Sequence, residues 1–347
     1  MQSIGQNLKR IRLLHNLSLK EAGLLLNMSA PAVSKYEKGE IMPNSQKLIF
    51  FANAYKVKSM ELLKVYNAPK MEFKSFRKRK KLKGYKLELL EEQIENEVSK
   101  YLEVLEMNTI KKDDTILQTY KCNNLLDAEK ASKEFRNFIG ISLIQPYSDL
   151  INILENLGII IIQIKNPNNI FDGFDGLSEI VNNIPVIILL DDIKDGTRQR
   201  FTIAHELGHL ILNIKSDDLT EEKLCNRFAS SLLMPEEAVI NEFGNHRDKI
   251  EFFELVAFKQ EYKVSYTAII YRLKDLNIIT DYQYKNLSIM LSKKIGKKDP
   301  YPIKPEISYQ FKKIVHKLKA KEIISLSKAC ELLGETVNEY NNADGNY

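Results

Sequence analysis

Five consecutive residues, His205-Glu206-Leu207-Gly208-His209, carry the chemistry-bearing pattern of this 347-residue chain. On an α-helix, positions i and i+4 share one face a turn apart, so His205 and His209 can bind a single metal ion together. Glu206, beside the first imidazole, is spaced to take a proton from a water at that ion. Phe201-Thr202-Ile203-Ala204 leads into the motif, and Leu207, Leu210, Ile211 and Ile214 form an apolar stripe. That periodicity predicts a helix buried on one side, with His205, Glu206 and His209 on or near the other.

A hydrolytic zinc site needs a third protein ligand and one open position. A third His six residues after His209 would complete one such set, but Lys215 stands there. The alternative is an acid on the following helix. Thr220 to Pro235 reads as that helix: Thr220 caps it, Pro235 closes it, and Leu224, Phe228, Ala229, Leu232 and Leu233 supply its apolar face. Glu222 is the expected third ligand. Asn226, at i+4 from it, points the same way and is placed to orient a ligand side chain. Glu221 is the rival, facing about 100° away, and Cys225 is a further alternative. Bound there, one Zn2+ per chain would bring the pKa of a water toward neutrality. Glu206 would take its proton and later deliver it to a leaving amine. Candidates for a second stabiliser of the oxyanion are His246, Tyr262, Tyr266 and Arg200, and the sequence does not choose among them.

The stretch Arg198 to Leu212 resembles the signature of the ImmA/IrrE-type metallopeptidases. So does Glu222-Lys223-Leu224-Cys225-Asn226-Arg227-Phe228-Ala229, followed by Leu232-Leu233-Met234-Pro235. The resemblance spans roughly residues 127 to 280. It implies zinc ligands at His205, His209 and Glu222 and a general acid/base at Glu206. The family usually has Ala where this chain has Cys225. The resemblance also implies a cytoplasmic bacterial protein that relieves repression by cleaving, or otherwise inactivating, a DNA-bound repressor.

The amino terminus carries a second pattern. Residues 3 to 63 read as five short helices. Ile4, Leu8, Ile11 and Leu14 give the first apolar stripe. Ser18 caps the second helix, with Glu21 completing a capping box. Ser29 caps the third, which has Pro31 in its first turn and ends before Gly39. Two short helices joined by a tight turn form a helix-turn-helix, whose second helix enters the major groove. Leu8 to Arg12, Leu17 to Ala22 and Ser29 to Gly39 resemble the Cro/cI (XRE)-type DNA-binding domain. The resemblance implies base-reading positions at Ser29, Ala30, Ala32, Ser34 and Lys35, and phosphate contacts from Lys20 and Lys38. The family often has Gln where this chain has Lys20. Glu37 is expected to be structural, buried against the helix pair.

Charge fits a nucleic-acid partner. Residues 1 to 65 hold ten Lys or Arg against four Glu, whereas the whole chain is +5. The run from Lys70 to Lys86 adds nine Lys or Arg against Glu72 alone, either to trail along phosphates or to serve as a solvated linker. No apolar run approaches 18 residues, and no signal-peptide pattern opens the chain. Cys122, Cys225 and Cys330 are widely spaced and odd in number, which predicts a reducing compartment.

The expected architecture is multidomain: an all-α helix-turn-helix domain, then an α+β zincin-like metallopeptidase domain with a small β-sheet. The divisions are 1–66 for the DNA-binding domain, 67–126 for a basic linker and helical connector, 127–280 for the peptidase, and 281–347 for a helical tail with a last helix over Ala320 to Leu333. An edge strand of the sheet is expected to hold a substrate peptide. The expected partners are a double-stranded DNA operator and a protein substrate, with no membrane, and a homodimer by default because palindromes are read by pairs. Three functions fit: a DNA-binding regulator that is also a zinc protease, a regulator whose metal site binds or senses without cutting, and a plain repressor.

Overall fold

The computed structural model describes residues 4–64, 71, 73, 82, 84–108, 117–215, 217–295 and 299–343. Most of the basic run between Lys70 and Lys83 lies outside the described residues. The chain divides into two compact units, Met1–Thr109 with Asn166–Phe174 and Ile314–Tyr347, and Ile110–Lys165 with Asp175–Lys313.

In the first unit, α1 (Ile4–Leu14), α2 (Leu19–Leu25), α3 (Ala30–Glu37), α4 (Ser45–Ala54) and α5 (Ser59–Leu63) follow the apolar periodicity of the sequence. They enclose a core of Leu8, Ile11, Ala22, Leu26, Val33, Phe51, Tyr55 and Leu62. Ser18 and Glu21 form the expected capping box on α2, and Ser29 Oγ caps α3 by accepting from the Ala32 N–H. Glu37 is buried and accepts two hydrogen bonds from Arg12, at 2.6 and 2.9 Å. The acidic connector forms α6 (Tyr85–Met107), which lies against α1. Lys9 pairs with Glu88 and Arg10 with Glu92, each at 3.1 Å. Part of the positive charge of the amino terminus is therefore neutralised within this unit.

The second unit opens with β1 (Tyr120–Lys121), α7 (Leu125–Phe138) and α8 (Leu150–Asn156). A three-stranded sheet of order β2-β4-β3 follows, from β2 (Ile160–Ile164), β3 (Gly176–Val181) and β4 (Ile184–Leu190). β2 runs parallel to β4, with Ile160 opposite Val186, and β3 runs antiparallel to it, with Gly176 opposite Leu189. All seven residues of β4 are buried, as a continuous apolar run predicts for a central strand. Against the sheet packs α9 (Gly196–Ile211), which carries the His-Glu motif. It passes directly into β5 (Leu212–Asn213), which pairs with β1. Then come α10 (Asp218–Leu233), α11 (Glu236–Phe243), α12 (Phe252–Tyr262), α13 (Tyr266–Asp275) and α14 (Asp281–Ile295).

Two details differ from expectation. Asp217, not Thr220, caps α10, accepting from the Thr220 N–H, so the helix starts a turn earlier. The anticipated last helix over Ala320 to Leu333 starts later, as α16 (Leu326–Leu333), between two helices that were not anticipated, α15 (Gln310–Ala320) and α17 (Val337–Ala343). Glu322 adopts a left-handed φ of 58°, and Ser325 caps the new start, accepting from the Lys328 N–H. The break follows from that local capping competing with helix continuation.

A segment of the 281–347 region belongs to the second unit. Ile303 accepts from the Gly196 N–H at 2.9 Å, Gln199 and Glu306 exchange side chain–backbone hydrogen bonds, and the Glu306 carboxylate pairs with Arg200 and accepts from the Ile151 N–H. A Cβ at Gly196 would collide with the Lys304 carbonyl, so Gly is what lets this strap reach the start of α9.

Candidate metal centre

The structure brings His205, His209 and Glu222 together across α9 and α10. The two Nε2 atoms lie 3.1 Å apart. Glu222 places Oε2 3.3 Å from His205 Nε2 and Oε1 3.5 Å from His209 Nε2. A tetrahedral zinc with bonds of about 2.0–2.2 Å holds its ligand atoms about 3.3–3.6 Å apart, so this donor set fits the ion with little rearrangement. Both imidazoles are sheltered, at 12 % and 8 % exposure, which keeps competing water off all but the open side.

What orients the imidazoles is the opposite nitrogen of each ring. His205 Nδ1 is 3.0 Å from Asn226 Oδ1, and His209 Nδ1 is 2.8 Å from Glu221 Oε1. With Nδ1–H donating to these oxygens, each Nε2 carries the free lone pair that a metal needs. Glu221 and Glu222 thus take different places: one faces the outer nitrogen of His209, the other closes the triangle of Nε2 atoms. Cys225 is buried and puts Sγ 3.5 Å from His209 Nδ1, on the outer nitrogen beside Glu221 and not on the face shared by the Nε2 atoms. Gly208 permits this geometry, because a Cβ there would press on Phe228 Cδ1 at 3.3 Å and on Cys225 Cα and Cβ at 3.4 Å. The motif's glycine lets α10 come close enough to offer Glu222.

Glu206 is only 2 % exposed, although the sequence places it toward an open face, because β3 runs across that side of α9. Ser178 Oγ, on β3, donates to Glu206 Oε2 at 2.7 Å and fixes the carboxylate. Sequence reasoning missed Ser178; its only signal was membership of a strand read as part of the small sheet. Three of the four oxyanion candidates have polar partners of their own, and the buried Tyr266 hydroxyl has no hydrogen-bond partner among the described residues. Arg200 is buried and committed to Glu306 and the Tyr147 carbonyl. The Tyr262 hydroxyl donates to the Ile144 carbonyl at 2.7 Å. Tyr266 is buried with the Lys259 ammonium over its ring, and His246 is exposed beside Asp248.

In the first unit, Val33 and Glu37 turn into the core from α3, leaving the opposite face of that helix to solvent. Ser29, Lys35 and Lys38 are exposed there, Ala30, Ala32 and Ser34 are partly so, and Lys20 is exposed on α2. That is the disposition a helix entering a groove requires.

Residues 154–274 match the family model described as the IrrE N-terminal-like domain, and residues 8–62 match a helix-turn-helix model. The chain joins a helix-turn-helix domain to an IrrE-like domain. Among curated proteins it is similar to the radiation response metalloprotease IrrE of Deinococcus radiodurans, at 37 % identity over 76 residues, which is 17 % of this chain and 23 % of that one. The match therefore spans less than a quarter of that relative's length. The IrrE-like domain contains the whole His205–Glu222 cluster, and the helix-turn-helix domain contains α2 and α3. No helix among the described residues is long and apolar enough to cross a membrane.

Proposed function

We propose that this protein is a cytoplasmic DNA-binding transcriptional regulator whose IrrE-like domain is a zinc-dependent endopeptidase of narrow specificity. On this reading it binds a double-stranded operator through Ser29, Ala30, Ala32, Ser34 and Lys35, with Lys20 and Lys38 on phosphates. It then cleaves a protein partner, a transcriptional repressor, in a stress response or on a mobile element. The observation that carries it is the donor triangle of His205, His209 and Glu222 at tetrahedral spacing, each imidazole oriented by an oxygen on its outer nitrogen.

When bound, one zinc ion supplies Lewis acidity toward the scissile carbonyl and toward the attacking water. Glu206 accepts a proton from that water at its carboxylate while the hydroxyl oxygen bonds to the carbonyl carbon. The C–N bond then breaks, and Glu206 returns the proton to the departing amine. Ser178 donates to Glu206 Oε2 and orients the carboxylate for the transfer. Asn226 and Glu221 keep His205 and His209 in the tautomer with an unprotonated Nε2. β3 is an edge strand beside α9, the place where a substrate peptide would add to the sheet.

Elemental analysis of purified protein, wild type beside His205→Ala, tests the site. About one zinc per chain, lost in the variant, is the expected result. No metal, and no uptake when zinc is added back, would sink the reading. Glu206→Gln is expected to keep both zinc and operator binding and to abolish cleavage; persistent cleavage would remove Glu206 from its role.

A further inference from the structure

From Ile314 onward, the carboxyl-terminal helices belong to the same compact unit as the helix-turn-helix domain. Ile314, Val315 and Leu318 turn one face of α15 inward, and His316 stacks on Tyr340 of α17 with ring centroids 4.5 Å apart. Lys328 of α16 pairs with Glu103 of α6 at 2.9 Å. Glu103 follows Glu92, the partner of Arg10 in α1, by about three helical turns, or about 16 Å, so both acids lie on one face of α6. The helix-turn-helix domain and the carboxyl-terminal helices therefore stand side by side along that face.

The outward arc of α15 is basic. From Gln310 to Ile323 the sequence holds five Lys and a single acid, Glu322. Lys317, Lys319 and Lys321 are exposed. Lys317 and Lys321 are one turn apart on one edge of the arc, where the Lys321 N–H still donates to the Lys317 carbonyl at 3.0 Å, and Lys319 stands on the other edge. None of these three side chains has an acidic partner among the described residues, whereas Lys9, Arg10, Lys100 and Lys328 of the same unit each have one. Like charges one turn apart repel each other, and an anionic surface relieves that repulsion.

Resting on the DNA-binding reading above, we propose that this arc of α15 is a second phosphate-contacting surface, which holds the duplex beyond the segment read by α3. One turn of duplex spans about 34 Å, about twice the offset along α6, so DNA seated on α3 extends past the neighbouring helices. The contact is to backbone phosphates and carries no sequence preference. It lengthens the footprint by about five base pairs, at about 3.4 Å each.

The test is fluorescence anisotropy of the full chain on a mixed-sequence duplex of about 30 base pairs, between about 50 and 250 mM NaCl. Each phosphate neutralised contributes about 0.9 to the slope of log affinity against log salt. The variant Lys317→Gln/Lys319→Gln/Lys321→Gln is expected to lower that slope by about two to three. The variant Lys285→Gln/Lys293→Gln/Lys294→Gln removes the same charge from exposed positions of α14 in the second unit and should keep the wild-type slope. A wild-type slope in the α15 variant overturns the surface and leaves DNA binding standing. An equal fall in the α14 variant overturns it too, because net charge alone would then be responsible. A wild-type protein that binds no duplex even at about 50 mM salt removes the DNA-binding reading and this inference with it.

Discussion

At the scale of single residues, two adjacent acids separate by what they touch. Glu222 closes the triangle of Nε2 atoms, and Glu221 meets the outer nitrogen of His209 at 2.8 Å. Glu222→Ala is expected to abolish stoichiometric zinc binding. Glu221→Ala should keep the site but weaken zinc affinity about 10- to 100-fold, the usual cost of losing an outer hydrogen-bond partner. Competition titration against a chromogenic chelator measures both; a reversed order would exchange the roles of the two acids. The motif and the Glu222–Asn226 spacing were legible in the sequence because both obey the helical repeat. The contribution of Ser178 was not, since it depends on β3 crossing α9, a contact between segments 28 residues apart.

At the scale of elements, the sequence conveyed the five short helices of residues 3 to 63 and the caps of α2 and α3, because Ser18, Ser29 and Gly39 are local signals; the Asn44 cap of α4 was not read. The strands of the small sheet were legible from apolar runs such as Ile184 to Leu190. The strap around Glu306 was not, because nothing in its composition announces a partner more than a hundred residues earlier. Its energetics are concentrated in one pair: Arg200 is 1 % exposed, and Glu306 supplies its opposite charge. Glu306→Ala should therefore cost about 3–5 kcal/mol by leaving a buried guanidinium uncompensated. Gly196→Ala should cost about 1–3 kcal/mol by forcing the Lys304 carbonyl away from α9. Urea unfolding followed through the second unit checks both; wild-type midpoints would mean that the strap is not needed to hold α9. A peptidase fragment ending at residue 280 lacks Glu306 and should be destabilised as the Glu306 variant is.

At the scale of the whole molecule, pH reads the two units through different groups. In the second unit, burial pushes the Glu129 carboxyl up, but hydrogen bonds and charge from Arg272, with Arg227 beside them, outweigh this and hold it below the usual carboxylate range. A lowered folded-state pKa means that this stabilisation is complete above the unfolded value of about 4.3 and fades as pH falls through the folded one. The stability gap between wild type and Glu129→Gln should thus be flat above about pH 5 and shrink below it. A gap independent of pH would mean that Glu129 acts by shape alone. On the alkaline side, each unit buries a tyrosine. Burial first, and then the charge of Glu37 against the opposing Arg12, pushes Tyr55 up to about 12. Burial pushes Tyr147 up to about 12 against the opposing Arg136. The folded chain keeps protons that the unfolded chain releases near pH 10, so stability drains as pH rises from about 10 toward 12. Tyrosinate absorbance should show these two rings silent at about pH 10.5 and ionising only as their units unfold. Tyr55→Phe should shrink the late step belonging to the helix-turn-helix unit, and Tyr147→Phe the one belonging to the IrrE-like unit, where burial also pushes Tyr266 up to about 12. An early, reversible ionisation of either ring with its unit still folded would contradict its burial. Two late steps that separate with temperature would show that the helix-turn-helix and IrrE-like units melt independently, and coincident steps that they fold as one.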